Sequence, residues 1–292
     1  MTTYDILLTN DDGFQSPGLA AIRDALTQAG LRTLTIAPDS PRSGTSRSAS
    51  FRKPIVPRLV NAGDANPVYV IDGTPVDCVR VGVISGIGAS ARLVLSGINE
   101  GANLGDDATY SSTLGAAVEG ALLGRSALSV SQQSRDGRFR LVDLTGYDFE
   151  STATITVRLA REMLRQPPPA RTVLNVNGPA TVANNKLEIT RLDRRRWDKN
   201  VFEPVVTPHG PGWFTFLSDS NQDPVFECKP GTDVAAITRG LMSISPLSFA
   251  WGEWRTQRHL HSWSRRIVNE LNRVIESELA HTPQRENDTH DA

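Results

Sequence analysis

Cysteine is almost missing from this chain: Cys78 and Cys228 are the only two in 292 residues. A disulfide scaffold and a cysteine-rich zinc module are thereby excluded. A charge excess is missing too, with 31 Lys and Arg against 32 Asp and Glu and a formal net charge of −1. Neither half is a basic block, which removes the main electrostatic argument for duplex nucleic acid or an anionic membrane as a partner. No apolar run approaches the roughly 18 residues a spanning helix needs. The N-terminal MTTYDILLTNDDG also lacks the basic start and long apolar centre of a secretory signal. The expectation is a soluble, cytoplasmic globular protein, and 39% apolar residues is enough to build its core.

What is present is an alternation of short β-like runs with helical patterns, the pattern of an α/β fold with a mostly parallel sheet and flanking helices. Strands are predicted at 4–9, 33–37, 68–71, 93–95, 128–130 and 173–176. A first helix opens at Ser16-Pro17, with Ser16 as N-cap, and stops at Gly30. Further helices are predicted at 75–86, 113–124 and 151–166, the last ended by Pro167-Pro168-Pro169. From about residue 180 the texture changes. Residues 186–190 and 213–216 alternate polar and apolar positions, as an antiparallel hairpin region would. A last helix over about 259–280 carries Leu260, Trp263, Ile267, Leu271, Ile275 and Leu279 on one stripe, which can pack on its own core or on a partner. The expected organisation is a core over 1–180, a β-rich extension with a C-terminal helix over 181–280 that serves oligomerisation, and a disordered tail over 281–292.

The sharpest polar feature is Asn10-Asp11-Asp12-Gly13, directly after the first strand. Ligands of open α/β sheets bind at the carboxyl ends of strands. Two adjacent carboxylates there suit a hard cation, although a turn that merely caps the next helix explains the same letters. Two more clusters occupy the equivalent position. Ser43 and Gly44 follow the second strand, and Asn99 and Asn103 follow the strand at 93–95. Ser43 and Asn99 can add neutral oxygens to a cation, and Asn103 and nearby backbone N–H groups can receive phosphate oxygens. Ser111, Ser112 and Thr113 then run into a helix, where hydroxyls either cap or help to bind an anion. Other templates fail. Gly86 to Ala91 fits a dinucleotide fingerprint by letters but lies between a helix and a strand, the wrong order. No phosphate-binding G-x-x-x-x-G-K-[ST] loop and no G-x-S-x-G elbow occurs. The five histidines all lie in the last third.

Taken together, LLTNDDGFQSPGL, APDSPRSGTSRS, GTPVDCV, SGINEGANLGDDATYSSTLGAAVEG and GTDVAAITRGLMSISPL resemble, in order and spacing, the SurE survival-protein family of 5′/3′-nucleotidases. The resemblance spans about residues 4 to 247. It implies a Rossmann-like fold and a divalent-metal-dependent phosphomonoesterase acting on nucleoside monophosphates, with one Mg²⁺ or Mn²⁺ per subunit and a homodimer or homotetramer. It places the metal on Asp11, Asp12, Ser43 and Asn99. It places phosphate contacts on Asn103, Ser111 and Thr113, to which Ser112 and Gly44 are added as neighbours; we add catalytic roles for Asp12, orienting the water, and Asn103, gripping the phosphoryl oxygens. Two departures stand out: Ser112 replaces the family's usual glycine, and Glu100 fills a position more often small or basic. Two other readings remain at this level: a phosphatase dedicated to a sugar phosphate or modified nucleotide, and a phospholigand-binding module without turnover.

Overall fold

The apolar alternation of the first strand already says which way it faces. Ile6 and Leu8 enter one hydrophobic cluster and Leu7 another, so β1 (Ile6–Thr9) is covered on both sides. The computed structural model describes residues 3–61, 65–139, 146–182, 186–197, 205–212, 223–250 and 254–281. Among them, β1 sits near the middle of a nine-stranded sheet. The other strands are β2 (Thr33–Pro38), β3 (Arg58–Leu59), β4 (Val68–Ile71), β5 (Leu93–Glu100), β6 (Ser126–Gln132), β7 (Thr172–Gly178), β8 (Leu187–Ile189) and β11 (Met242–Ser248). A short hairpin of β9 (Val205–Thr207) and β10 (Gly210–Gly212) stands apart.

The helices are α1 (Pro17–Gln28), α2 (Pro75–Ile84), α3 (Ser112–Leu122), α4 (Glu150–Arg165), α5 (Asp233–Thr238) and α6 (Trp254–His281). Leu19 and Ile22 of α1, Leu159 and Met163 of α4, and Trp263 and Ile267 of α6 bury one sheet face. Cys78 and Val79 of α2 and Ala116 of α3 bury the other. The α1 start is the predicted one, with Ser16 accepting from Leu19 N–H and Pro17 in the first turn.

The sheet order, β3-β4-β2-β1-β5-β6-β7-β11-β8, is what positions the site. The chain winds outward from β1 through β2 to β4, then returns to place β5 on the other side of β1. All of β4, β2, β1, β5, β6 and β7 run parallel. The connections therefore diverge between β1 and β5, the crevice where open α/β sheets bind ligands. The β5–β6 register shifts between Ser96 and Asn99, which re-aims the side chains that follow. Gly97 permits it: its φ is +133°, and a Cβ would lie 2.2 Å from Val130 O.

Past residue 180 an antiparallel hairpin does form, β9 with β10, but the run at 187–189 is not part of one. Residues 187–189 form β8, which pairs in parallel with β11, while β11 is antiparallel to β7. Alternation in so short a run reports burial of one face but not the identity or direction of the partner. The run at 213–216 lies outside the described residues, as do 282–292 of the expected tail. The α6 stripe is buried at Leu260, Trp263, Ile267, Leu271 and Ile275, the last four within the chain's main hydrophobic cluster; the side chain of Leu279 lies outside the described residues.

Candidate metal and phosphate site

Asn10 folds the loop after β1. Its Nδ2 donates to Gly13 O at 2.9 Å and to Ser16 Oγ at 2.8 Å, tying the turn to the cap of α1. Asp11 is left buried below it, with Oδ1 accepting from Thr113 Oγ1 at 2.6 Å and its backbone O accepting from Arg42 N at 2.7 Å. Asp12 is half-buried and accepts from Glu100 N at 3.1 Å. Burial pushes the Asp11 carboxyl well above the usual carboxylate range. Burial raises Asp12 as well, and the adjacent Asp11 charge raises it further. Two desolvated carboxylates side by side repel each other, and a cation offsets that cost.

Neutral oxygens approach from the neighbouring strands. Asn99, at the end of β5, donates through Nδ2 to Gly101 O at 2.8 Å, which leaves Oδ1 as its outward polar atom. Ser43 and Gly44 lie on the loop after β2, which is fixed at several points. Thr45 N donates to Ser112 Oγ at 2.9 Å, Ser46 Oγ donates to Thr109 O at 2.9 Å, and Arg47 reaches the buried Glu119 at 3.1 Å. Asp11, Ser43, Gly44, Asn99, Asn103 and Ser111 all line one cavity of about 460 Å³. Asp12 lies beside that cavity without lining it. Among the described residues no group of three or more His, Cys, Asp or Glu converges on a metal-binding point. The donors are instead two carboxylates with hydroxyl and amide oxygens, a hard set that fits Mg²⁺ or Mn²⁺.

The phosphate side is the start of α3. Ser111 caps it, accepting from Leu114 N at 3.1 Å, and its own hydroxyl hydrogen remains to donate. Asn103 is held by Asn177 Oδ1 on its N–H at 2.8 Å and by Ser131 Oγ on its Nδ2 at 2.8 Å, so its amide is fixed at the cavity wall. Two of the expected phosphate contacts need correction. The Thr113 hydroxyl is spent on Asp11. Ser112 is fully buried, with its hydroxyl donating to Arg42 O at 3.0 Å and accepting from Thr45 N. A fully buried hydroxyl with partners on both sides cannot face a ligand. The backbone N–H groups of residues 112 and 113, in the first turn of α3, have no intrahelical acceptor.

The structure also brings in residues the sequence did not single out. Leu104, Tyr110, Phe139, Pro224 and Phe226 line the same cavity, as do Asp107 and the already noted Glu100. Asp107 is bonded at 2.6 Å to Arg195, whose side chain is fully buried. Tyr147 stacks on Phe149 at 5.5 Å, and its hydroxyl is buried without a partner among the described residues. The doubled acid Asp106-Asp107 was the one available signal. The aromatics had none, being scattered over more than a hundred residues of sequence.

A family model described as Survival protein SurE matches residues 6–199. Among curated relatives, the 5′-nucleotidase SurE of Nitrosococcus oceani is 34% identical over 264 residues, covering 90% of this chain and 98% of its own. That of Rubrobacter xylanophilus is 37% identical over 268 residues, covering 88% and 96%. Among solved structures, the SurE protein from Aquifex aeolicus superposes with a TM-score of 0.68 at 30% identity, covering 89% of this chain and 99% of its own. The motifs, the fold and these matches agree, and the chain belongs to the SurE family.

Proposed function

We propose that the chain is a phosphomonoesterase that hydrolyses nucleoside 5′-monophosphates, and 3′-monophosphates with them, using one Mg²⁺ or Mn²⁺ per subunit. The observation that carries the reading is the convergence of oxygen donors from the loops after β1, β2 and β5 on one cavity that continues to the first turn of α3. Asp11 and Asp12 would hold the cation, with Ser43 Oγ and Asn99 Oδ1 as neutral donors. A divalent cation there supplies Lewis-acid neutralisation of the phosphoryl charge. Thr113 orients the Asp11 carboxylate, and Asp12 accepts a hydrogen bond from the attacking water. Asn103, Ser111 and the open N–H groups of α3 bind the non-bridging oxygens and meet the charge that grows as the ester bond breaks.

Among the described residues no helix is long and apolar enough to cross a membrane. The reading includes a cytoplasmic location and a homodimer or homotetramer, the latter checked by solution mass before and after truncation near residue 255. The decisive experiment is phosphate release from AMP with and without Mg²⁺ or Mn²⁺, for the native chain and Asp11→Asn. Metal-dependent release that the substitution abolishes supports the proposal. Near-native turnover in Asp11→Asn, or no release with any metal, refutes it.

A further inference from the structure

The cavity has two chemically different sets of lining residues. One is the proposed cation and phosphate donors, and the other is apolar, with Phe139 and Phe226 packed against the buried Leu104. A phosphate and a cation need no such wall. Phe139 and Phe226 meet edge to face, with centroids 6.1 Å apart and planes at 78°, and both rings are only partly buried. A volume of about 460 Å³ falls within the roughly 300–1,000 Å³ typical of small-ligand pockets.

The aromatic wall is also fixed relative to the phosphate helix. Phe226 forms an isolated β-bridge with Arg195. The Arg195 guanidinium binds Asp107 at 2.6 Å, and its backbone N–H donates to Asp106 at 2.9 Å. Asp106 and Asp107 belong to the 3-10 turn Gly105–Tyr110 that leads into α3. Gly105 completes the seat: a Cβ there would lie 2.7 Å from the Phe226 ring and 2.9 Å from Asp193 O. The turn that leads into α3 thus also holds the ring, so the Phe226 ring is fixed relative to the start of that helix.

Resting on the nucleotidase reading, we infer that Phe226, with Phe139 beside it, is the specificity-determining wall that takes the nucleobase. It selects nucleotides over phosphate esters without an aromatic group. Ring stacking is tolerant of base identity because every base presents a π-face. The two phenyl rings offer no donor or acceptor to read a base edge, so their selection falls between nucleotides and other esters more than among the bases.

Ribose 5-phosphate is AMP without its base and serves as the control. In the native chain AMP should be favoured in kcat/KM by about 5- to 150-fold, the range of one base–ring stack. Phe226→Ala should raise the KM for AMP by roughly tenfold or more with kcat little changed, as loss of uniform binding does, and should leave ribose 5-phosphate turnover intact. That unchanged turnover also reports a folded site. Phe226→Leu, which keeps the apolar bulk, guards against a collapsed Ala variant and should lose most of the same preference. Equal losses on both esters, or an unchanged KM for AMP, overturn the inference. Calorimetric binding of AMP and ribose 5-phosphate with Mn²⁺ separates the two claims. Equal affinities sink the base wall even if hydrolysis is intact. A preference for AMP that Phe226→Leu removes, with no phosphate released from any ester, sinks the nucleotidase reading and leaves the wall standing.

Discussion

Thr113 Oγ1 donates to Asp11 Oδ1 at 2.6 Å, across 102 positions of sequence. The bond joins the first turn of α3, the proposed phosphate side, to the carboxylate proposed to hold the cation. One hydroxyl therefore sets the relative position of the two halves of the proposed chemistry.

Replacing Thr113 with Val, which matches its shape without the hydroxyl, should weaken Mn²⁺ binding by about 10- to 100-fold, the usual cost of an outer-sphere ligand partner. Turnover at fixed metal should fall with it, and Thr113→Ser should restore most of both. Titration of Mn²⁺ by calorimetry reads the effect. Unchanged affinity in Thr113→Val with a raised KM would instead place the hydroxyl on the substrate.

Asp12→Asn removes one of two repelling, desolvated carboxylates. The metal-free protein should melt no lower than the native chain, because the substitution relieves a cost already present. The rise in melting temperature on adding Mn²⁺ should vanish, and activity should fall beyond the roughly 100-fold that outer-sphere changes reach. Calorimetric melting with and without metal decides it, and a full metal-induced shift in the variant counts against Asp12 as a ligand.

Ser112 acts on the loop that carries Ser43. Ser112→Ala would strand the part-buried Thr45 N–H, at a cost toward the low end of the about 1–3 kcal/mol of a fully buried donor. Urea unfolding should show that loss, and KM should rise as the Ser43–Gly44 loop loosens. Native stability with a drop in kcat alone would return the hydroxyl to the phosphate site.

Asp77 tests the same loop from its other end. It accepts from Ser50 N at 3.0 Å, Ser50 Oγ at 2.8 Å and Thr74 N at 2.9 Å, completing a capping box on α2. Burial pushes its carboxyl up, but these bonds outweigh burial and hold it below the usual range. A depressed folded-state value means the stabilisation is present above the unfolded pKa and is lost as pH falls through the folded one. Asp77→Ala should cost about 0.5–2 kcal/mol at neutral pH, and the native and variant stabilities should converge below about pH 4, the ordinary Asp range. A constant gap between them down to pH 2 would refute the account.

Much of the sheet was legible because a strand covered on both faces must be apolar, and the runs at 33–37, 68–71 and 173–176 could serve as little else. The acidic turn was legible for the opposite reason, since adjacent carboxylates behind a buried strand need compensation. Direction and partner were not legible past residue 180, where β8 spans three residues and owes its place to β11, more than fifty positions away.

The sequence by itself determined the α/β class, the family, and the three loops that carry Asp11, Ser43 and Asn99, because strand period, cap chemistry and motif order are local properties of the chain. Only the tertiary structure decided what each hydroxyl at the start of α3 does. Ser111, the extended N-cap, lines the cavity, while Ser112 and Thr113, about 100° apart on the first turn, reach the loop after β2 and Asp11. Only the tertiary structure could assemble Phe139 and Phe226 into one wall, because the two rings lie 87 positions apart in sequence and meet only through the fold.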